Sequence, residues 1–177
     1  ISPDGNYAAI AIENERDEEL CVGGEFNGSP VPEDGPEEPG DITEDQCEDA
    51  GGLVGFPEQL PSGWLAVIDL KAKQGKPAHW KVEKVNLDGL ADEYPDDPEP
   101  EYVDINEDNI AVVTLQENNH IVLVDLEARE VLDDFTAGKV DLDQIDRTEE
   151  DPALISLTES QDDVPREPDG VSWIKDG

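Results

Sequence analysis

Carboxylates dominate the chemistry this chain can offer: 47 Asp and Glu stand against 11 Lys and Arg, for a formal net charge of −36. Some of them fall in patterns that could seat a hard cation. Glu13-Asn14-Glu15 and Glu117-Asn118-Asn119 each follow closely on an apolar run, and Asp141, Asp143 and Asp146 form a D-x-D-x-x-D cluster. Carboxylate and amide oxygens are the ligands calcium prefers, and converging like charges gain most from a divalent ion. Ca2+ is therefore the expected cofactor, with Glu13, Asn14, Glu15, Glu117, Asn118, Asp141, Asp143 and Asp146 as its candidate ligands. The competing reading is that Asn14 and Asn118 bond loop backbone, as asparagines in turns commonly do, while the carboxylates stay solvated. The aspartate cluster is not an EF-hand, because Ile145 occupies position five, position six is not Gly and position twelve is not Glu.

Cys21 and Cys47 are the two cysteines, with 25 residues between them in a Gly/Pro/Glu-rich stretch that has little to bury. Closing that loop with a disulfide would remove ~3 kcal/mol of denatured-state entropy in the chain-entropy model, and it implies an oxidising compartment. A zinc site is disfavoured by the absence of C-x2-C spacing and of histidine partners. Arg166, in Pro165-Arg166-Glu167-Pro168, is a candidate contact for an anion, with pairing to a neighbouring carboxylate as the alternative. His79 and His120 have no Ser or Cys nucleophile at a fixed spacing, and no G-x-S-x-G elbow exists, so no catalytic residue is assigned.

Such charge excludes binding to nucleic-acid backbones. The longest apolar runs, Trp64 to Ile68 and Ile121 to Val124, fall far short of the ~20 residues that cross a bilayer, so no membrane span is expected in this segment. High charge with 5% aromatic residues is often a mark of disorder. Here, however, β-rich apolar blocks alternate with acidic Pro/Gly stretches, the pattern of a folded scaffold carrying solvated loops.

Period-two alternation and β-branched enrichment predict strands at Tyr7 to Ile12, Trp64 to Leu70, Trp80 to Leu87, Tyr102 to Ile105, Ile110 to Leu115, His120 to Leu126, Val131 to Phe135 and Val171 to Ile174. Trp64, Trp80 and Trp173 fall on these strands and are expected in the core or between packed sheets. The blocks repeat. Residues 1–12 align with 105–115 across one gap, and Trp64 to Leu70 aligns with His120 to Leu126 without any. A third unit opens at Pro168-Asp169-Gly170. Repeated four-stranded antiparallel units are the mark of a β-propeller, whose blades cover one another's faces; a sandwich or a β-solenoid is the alternative.

The expected fold is thus all-β, a propeller fragment. Residues 1–87 form a blade with an acidic insertion at 13–63, 88–101 a crossover, 102–136 a second blade, 137–167 another crossover, and 168–177 the start of a third blade. Because the chain opens inside a motif, lacks Met and stops just after a strand-like run, a piece of a longer polypeptide is expected. Alternation of turns along a blade sends the connections 13–63, 88–101 and 138–168 to one face, where binding on a rigid scaffold usually resides.

A Pro-Asp-Gly turn, a strand, an Asn-containing loop and a V-x-V-I-D-like strand together resemble the YVTN-type propeller repeat. The opening ISPDGNYAAIAIENERDEE, the run Pro100 to Asp125 and the stretch Val140 to Val171 more closely resemble the choice-of-anchor I domain family. That resemblance covers most of the chain outside residues 21–60. It implies an extracellular or cell-surface propeller, seven-bladed in the family and sometimes labelled alkaline phosphatase-like or esterase-like. The acidic Cys-bounded insertion departs from the family pattern. The expected function is a secreted or surface-displayed binding or structural module whose acidic face takes up divalent cations. Its partners would be the remaining blades of the parent chain and other extracellular proteins or surface components. A metal-dependent phosphoester hydrolase is the alternative, with the metal polarising a phosphoryl oxygen. The location implied by Cys21 and Cys47 is directly checkable: mass spectrometry of the secreted chain, alkylated without reduction, is expected to find no modified thiol, and two alkylated cysteines would remove the bridge.

Overall fold

The computed structural model describes residues 1–14, 61–71, 76–147 and 154–174, together with the backbone of four short strands between 21 and 54. The chain is all-β. Its strands are β1 (Tyr7–Ile12), β2 (Cys21–Val22), β3 (Glu25–Phe26), β4 (Ser29–Pro30), β5 (Leu53–Val54), β6 (Trp64–Asp69), β7 (Val82–Asn86), β8 (Pro100–Ile105), β9 (Ile110–Leu115), β10 (His120–Asp125), β11 (Glu130–Thr136), β12 (Lys139–Ile145) and β13 (Glu159–Pro165). One turn of 3-10 helix, Pro77–His79, is the only helical element among the described residues.

Two sheets carry the fold: a three-stranded one in the order β1-β6-β7 and a four-stranded one in the order β11-β10-β9-β8. All their pairings are antiparallel. The period-two pattern shows why they meet. Leu65, Val67 and Val85 share one face of the first sheet, while Ala111, Val113, Val122 and Val124 share one face of the second. Together with Tyr7, Leu87, Ile105, Leu115 and Leu126 they make a single apolar cluster. Val67, Val113, Val122 and Val124 have no solvent exposure at all.

The internal repeat is reproduced in the hydrogen bonds of two equivalent turns. Ser2 N donates to Tyr7 O at 2.9 Å as Asn106 N does to Ile110 O at 3.0 Å, and Gly5 N donates to Ser2 O at 2.9 Å as Asn109 N does to Asn106 O at 3.2 Å. Gly5 and Asn109 both adopt left-handed backbone, φ 72° and 60°, which glycine and asparagine tolerate best. The two turns also touch. Asn109 Nδ2 donates to Asp4 Oδ2 at 3.0 Å, while Ser2 Oγ and Asn6 N donate to Asp4 Oδ1. The Ser2 hydroxyl most of all, then Asn109 and the Asn6 amide, holds the Asp4 carboxyl well below the usual carboxylate range.

Three sequence expectations differ from the structure. Trp80 lies outside β7, at the end of the 3-10 turn, and is 39% exposed rather than buried. Residues 171–174 are not a strand; a strand needs a ladder partner, and here Trp173 N and Ser172 Oγ donate instead to Asp104 Oδ2. Within 137–167, read as a crossover, β12 and β13 form an antiparallel hairpin. Its strands are acidic and mostly exposed, with apolar residues interleaved among aspartates only in the first of them, and two register shifts interrupt its pairing.

Between the sheets Gly63 has no room for a side chain, because a Cβ there would fall on the Pro98 carbonyl and the Pro100 ring. Gly63→Ala is therefore expected to cost about 1–3 kcal/mol of stability, read from the shift in urea midpoint at unchanged slope; a midpoint within error of the parent would show that this contact gives way freely.

Candidate functional site

The strand order decides where the loops emerge. β1 ends, β6 begins and β7 ends at the edge marked by Ile12, Trp64 and Asn86, which pair in register. In the second sheet β9 ends and β10 begins at Leu115 and His120, also paired, with Pro100 opposite Leu115 and Thr136 opposite His120. Gly63 against Pro98 and Pro100 brings these two edges together. The connections after Ile12, after Asn86, after Leu115 and after Thr136 thus gather at one end of the two sheets.

Asn118 organises that end. It is 2% exposed; its Oδ1 accepts the Glu99 N–H at 2.9 Å, and its Nδ2 lies 3.1, 3.2 and 3.0 Å from the carbonyls of Glu93, Tyr94 and Asp97. One amide thereby fastens the 93–99 segment, in which Tyr94 is held at a φ of 50°. Asn14 plays a smaller part of the same kind, donating to Pro61 O at 3.1 Å. Both asparagines bond loop backbone.

The remaining candidates are distributed as follows. Glu13 is exposed, Glu117 half-buried, and Glu15 lies outside the described residues. Asp141 and Asp143 are exposed on β12, where Asp141 Oδ1 accepts the Asp163 N–H at 3.0 Å across the hairpin. Asp146 Oδ2 accepts the Ser156 N–H at 2.7 Å. Among the described residues no three His, Cys, Asp or Glu side chains are grouped so that they could hold a metal ion. Arg166 closes the base of the β12–β13 hairpin: its N–H donates to Gly138 O at 3.0 Å and its Nη1 to Ala137 O at 3.2 Å. Cys21 sits on β2, its backbone paired with Val54, and Cys47 lies outside the described residues.

Sequence reasoning missed Glu101. Burial comes first, then the charges of Asp169, Glu13 and Glu117, in pushing its carboxyl above the ordinary value. Its Oε2 is buried with no hydrogen-bond partner. Carboxylates from three other segments thus act on Glu101. The only sequence signal is that Glu101 lies between Pro100 and Tyr102 at the start of β8, which says nothing about its neighbours.

A cavity of about 240 Å3 lies nearby, lined by Asp92, Glu93, Asn118, Asn119, His120, Thr136, Gly138 and Lys139. His120 is 6% exposed and shares a 2.9 Å hydrogen bond with Asp134 Oδ2 through Nε2. It is paired with a carboxylate rather than with a nucleophile. His79 is exposed in the 3-10 turn, at the other end of the sheets.

The two roles considered for Asn118 separate on one pair of variants. Asn118→Ala is expected to lose about 3 kcal/mol through unsatisfied backbone groups, and Asn118→Asp to lose as much, because a carboxylate would face three carbonyls. A stable Asn118→Asp protein that bound calcium more tightly would instead make this residue an ion ligand.

Comparison with known proteins gives one match and two blanks. No curated protein and no solved structure matches the chain. A family model described as the Choice-of-anchor I domain matches residues 66–175, which takes in the whole second sheet, the hairpin and most of β6. With 110 of 177 residues covered, this chain belongs to the choice-of-anchor I domain family.

Proposed function

We propose that the chain is part of an extracellular or cell-surface β-propeller, two adjoining blades of a binding or structural module whose acidic end takes up divalent cations, calcium above all. Membership of the choice-of-anchor I domain family supports a surface-associated module. Two packed antiparallel sheets built on an internal repeat support the blades. Candidate partners are the remaining blades of the parent chain and other extracellular proteins or surface components. No helix among the described residues is long and apolar enough to cross a membrane.

The observation that carries the cation reading is Glu101. Its carboxyl has a buried oxygen without a hydrogen-bond partner and is raised by the charges of Asp169, Glu13 and Glu117. The sign matters. A carboxyl raised in the folded state favours folding when protonated, and that contribution is lost as pH rises through its folded value. At neutral pH this repulsion therefore works against the fold, and a divalent cation attracted to the vicinity of Glu101, without a ready-grouped set of ligands among the described residues, would offset it without any proton.

Calcium at about ten to a hundred times a millimolar-range Kd, typical of extracellular modules, would add roughly 2 kcal/mol. For a domain of this size that is about 4–8 °C in Tm. The expected outcome is a rise of this order on adding calcium at constant ionic strength. Glu101→Gln should melt higher than the parent without calcium and gain less from it. An equal gain in both proteins, or the same gain from NaCl, would remove Glu101 and its neighbours as the cation site.

A further inference from the structure

The rare cations of this chain are not scattered. Five of its 11 Lys and Arg, Lys71, Lys73, Lys76, Lys81 and Lys84, fall within residues 71–84, which contain a single carboxylate, Glu83. That stretch carries +5 − 1 = +4, so the rest of the chain carries −36 − 4 = −40. Glu83 is ion-paired with Arg129 and so does not neutralise the lysines. Two of them are occupied with the scaffold, Lys71 over the Tyr7 ring and Lys84 over the Trp64 ring.

The central part of this stretch forms a hydrogen-bonded turn presented to solvent. His79 N donates to Lys76 O at 2.8 Å and Trp80 N to Pro77 O at 3.2 Å, closing the 3-10 turn. Lys76, Pro77, Ala78, His79, Trp80 and Lys81 are all exposed. Trp80 keeps 39% of its surface exposed, which forgoes roughly 1 kcal/mol of burial, and a partly exposed tryptophan flanked by cations is the composition of a recognition surface. Lysines also guard open sheet edges, and β7 is one. Guarding accounts for Lys84 but gives Trp80 no reason to be outside the core.

We infer that Lys76, His79, Trp80 and Lys81 form a docking surface for an acidic polysaccharide carrying about one carboxylate per sugar. Trp80 offers a flat amphipathic ring to the apolar face of a sugar, and the lysines offer charge to its carboxylates. Nucleic acid is a poorer fit, because a polymer with one charge per ~1.7 Å is repelled most strongly by the −40 of the remaining chain. The same background sets an unusual salt dependence. Repulsion from the whole molecule acts over the Debye length, about 30 Å at 0.01 M salt and about 8 Å at 0.15 M, whereas the contacts on the turn are short.

The test uses the full chain, a chelator to exclude calcium bridging, and polygalacturonate as the probe. Affinity is expected to rise between about 0.02 and 0.15 M NaCl as the long-range repulsion is screened, and to fall above about 0.5 M. At about 0.15 M, Lys76→Glu with Lys81→Glu should weaken binding by about tenfold or more, and Trp80→Ala by a similar factor, with neutral dextran not binding. Circular dichroism of the variants would confirm unchanged strand content, as their exposure implies. The inference is overturned if the variants bind as the parent does, if polygalacturonate does not bind at any salt, or if polyglutamate or duplex DNA binds equally well.

Discussion

Everything in this molecule depends on one shared apolar layer, because a chain of net charge −36 has little else with which to hold itself together. Its self-repulsion favours expansion, and its ordering entropy must be offset by burial. The only substantial burial among the described residues is the cluster from Tyr7 to Leu126, contributed by both sheets. Neither sheet covers its inner face alone. The packing of the two sheets, which approach each other at β1 and β8, is thus a condition for either to persist. It also explains why the strands contributing to this layer read as apolar runs while the connections are free to be acidic.

Once the sheets are packed, their antiparallel order leaves little choice about the loops. Connections from both sheets leave at the same end, so their carboxylates accumulate there. Asn118 supplies the order that charge would otherwise disturb. A neutral side chain that shares its two N–H hydrogens among three carbonyls and accepts one N–H can tie down an acidic loop without adding charge. The opposite end is held differently. There Asp4 gathers donors from Ser2, Asn6 and Asn109, and Arg129 pairs with Glu83. One end of the molecule is thus organised around an amide, the other around a carboxylate and an ion pair. The 3-10 turn, the one cation-rich feature, falls at the second end.

β1, β6, β9 and β10 were legible from residue types, since each is an apolar, largely β-branched or alanine-rich run of six residues flanked by turn-formers. Their kinship was legible too, because the turn residues recur with the strands. The hairpin of β12 and β13 was hidden. Its sequence alternates, but with aspartates, and an exposed two-stranded ribbon has no core to impress on its composition. Trp80 misled in the opposite way. A large aromatic before an alternating run reads as part of the strand, and only the start of pairing at Val82 shows that it lies beyond the sheet.

For the site, the sequence determined the chemistry and the structure its partners. That the loops would be acidic, and that asparagines would sit after the second strand of each unit, follows from composition and repeat alone, since both are local properties of the chain. Whether Asn118 faces an ion or main chain, and whether Glu101 has company, depends on segments far apart in sequence: Glu13, Glu117 and Asp169 approach Glu101 only after the sheets have packed. Charge is written in one dimension, but the distance between charges is set in three. Only tertiary structure could decide which of 47 carboxylates act on one another.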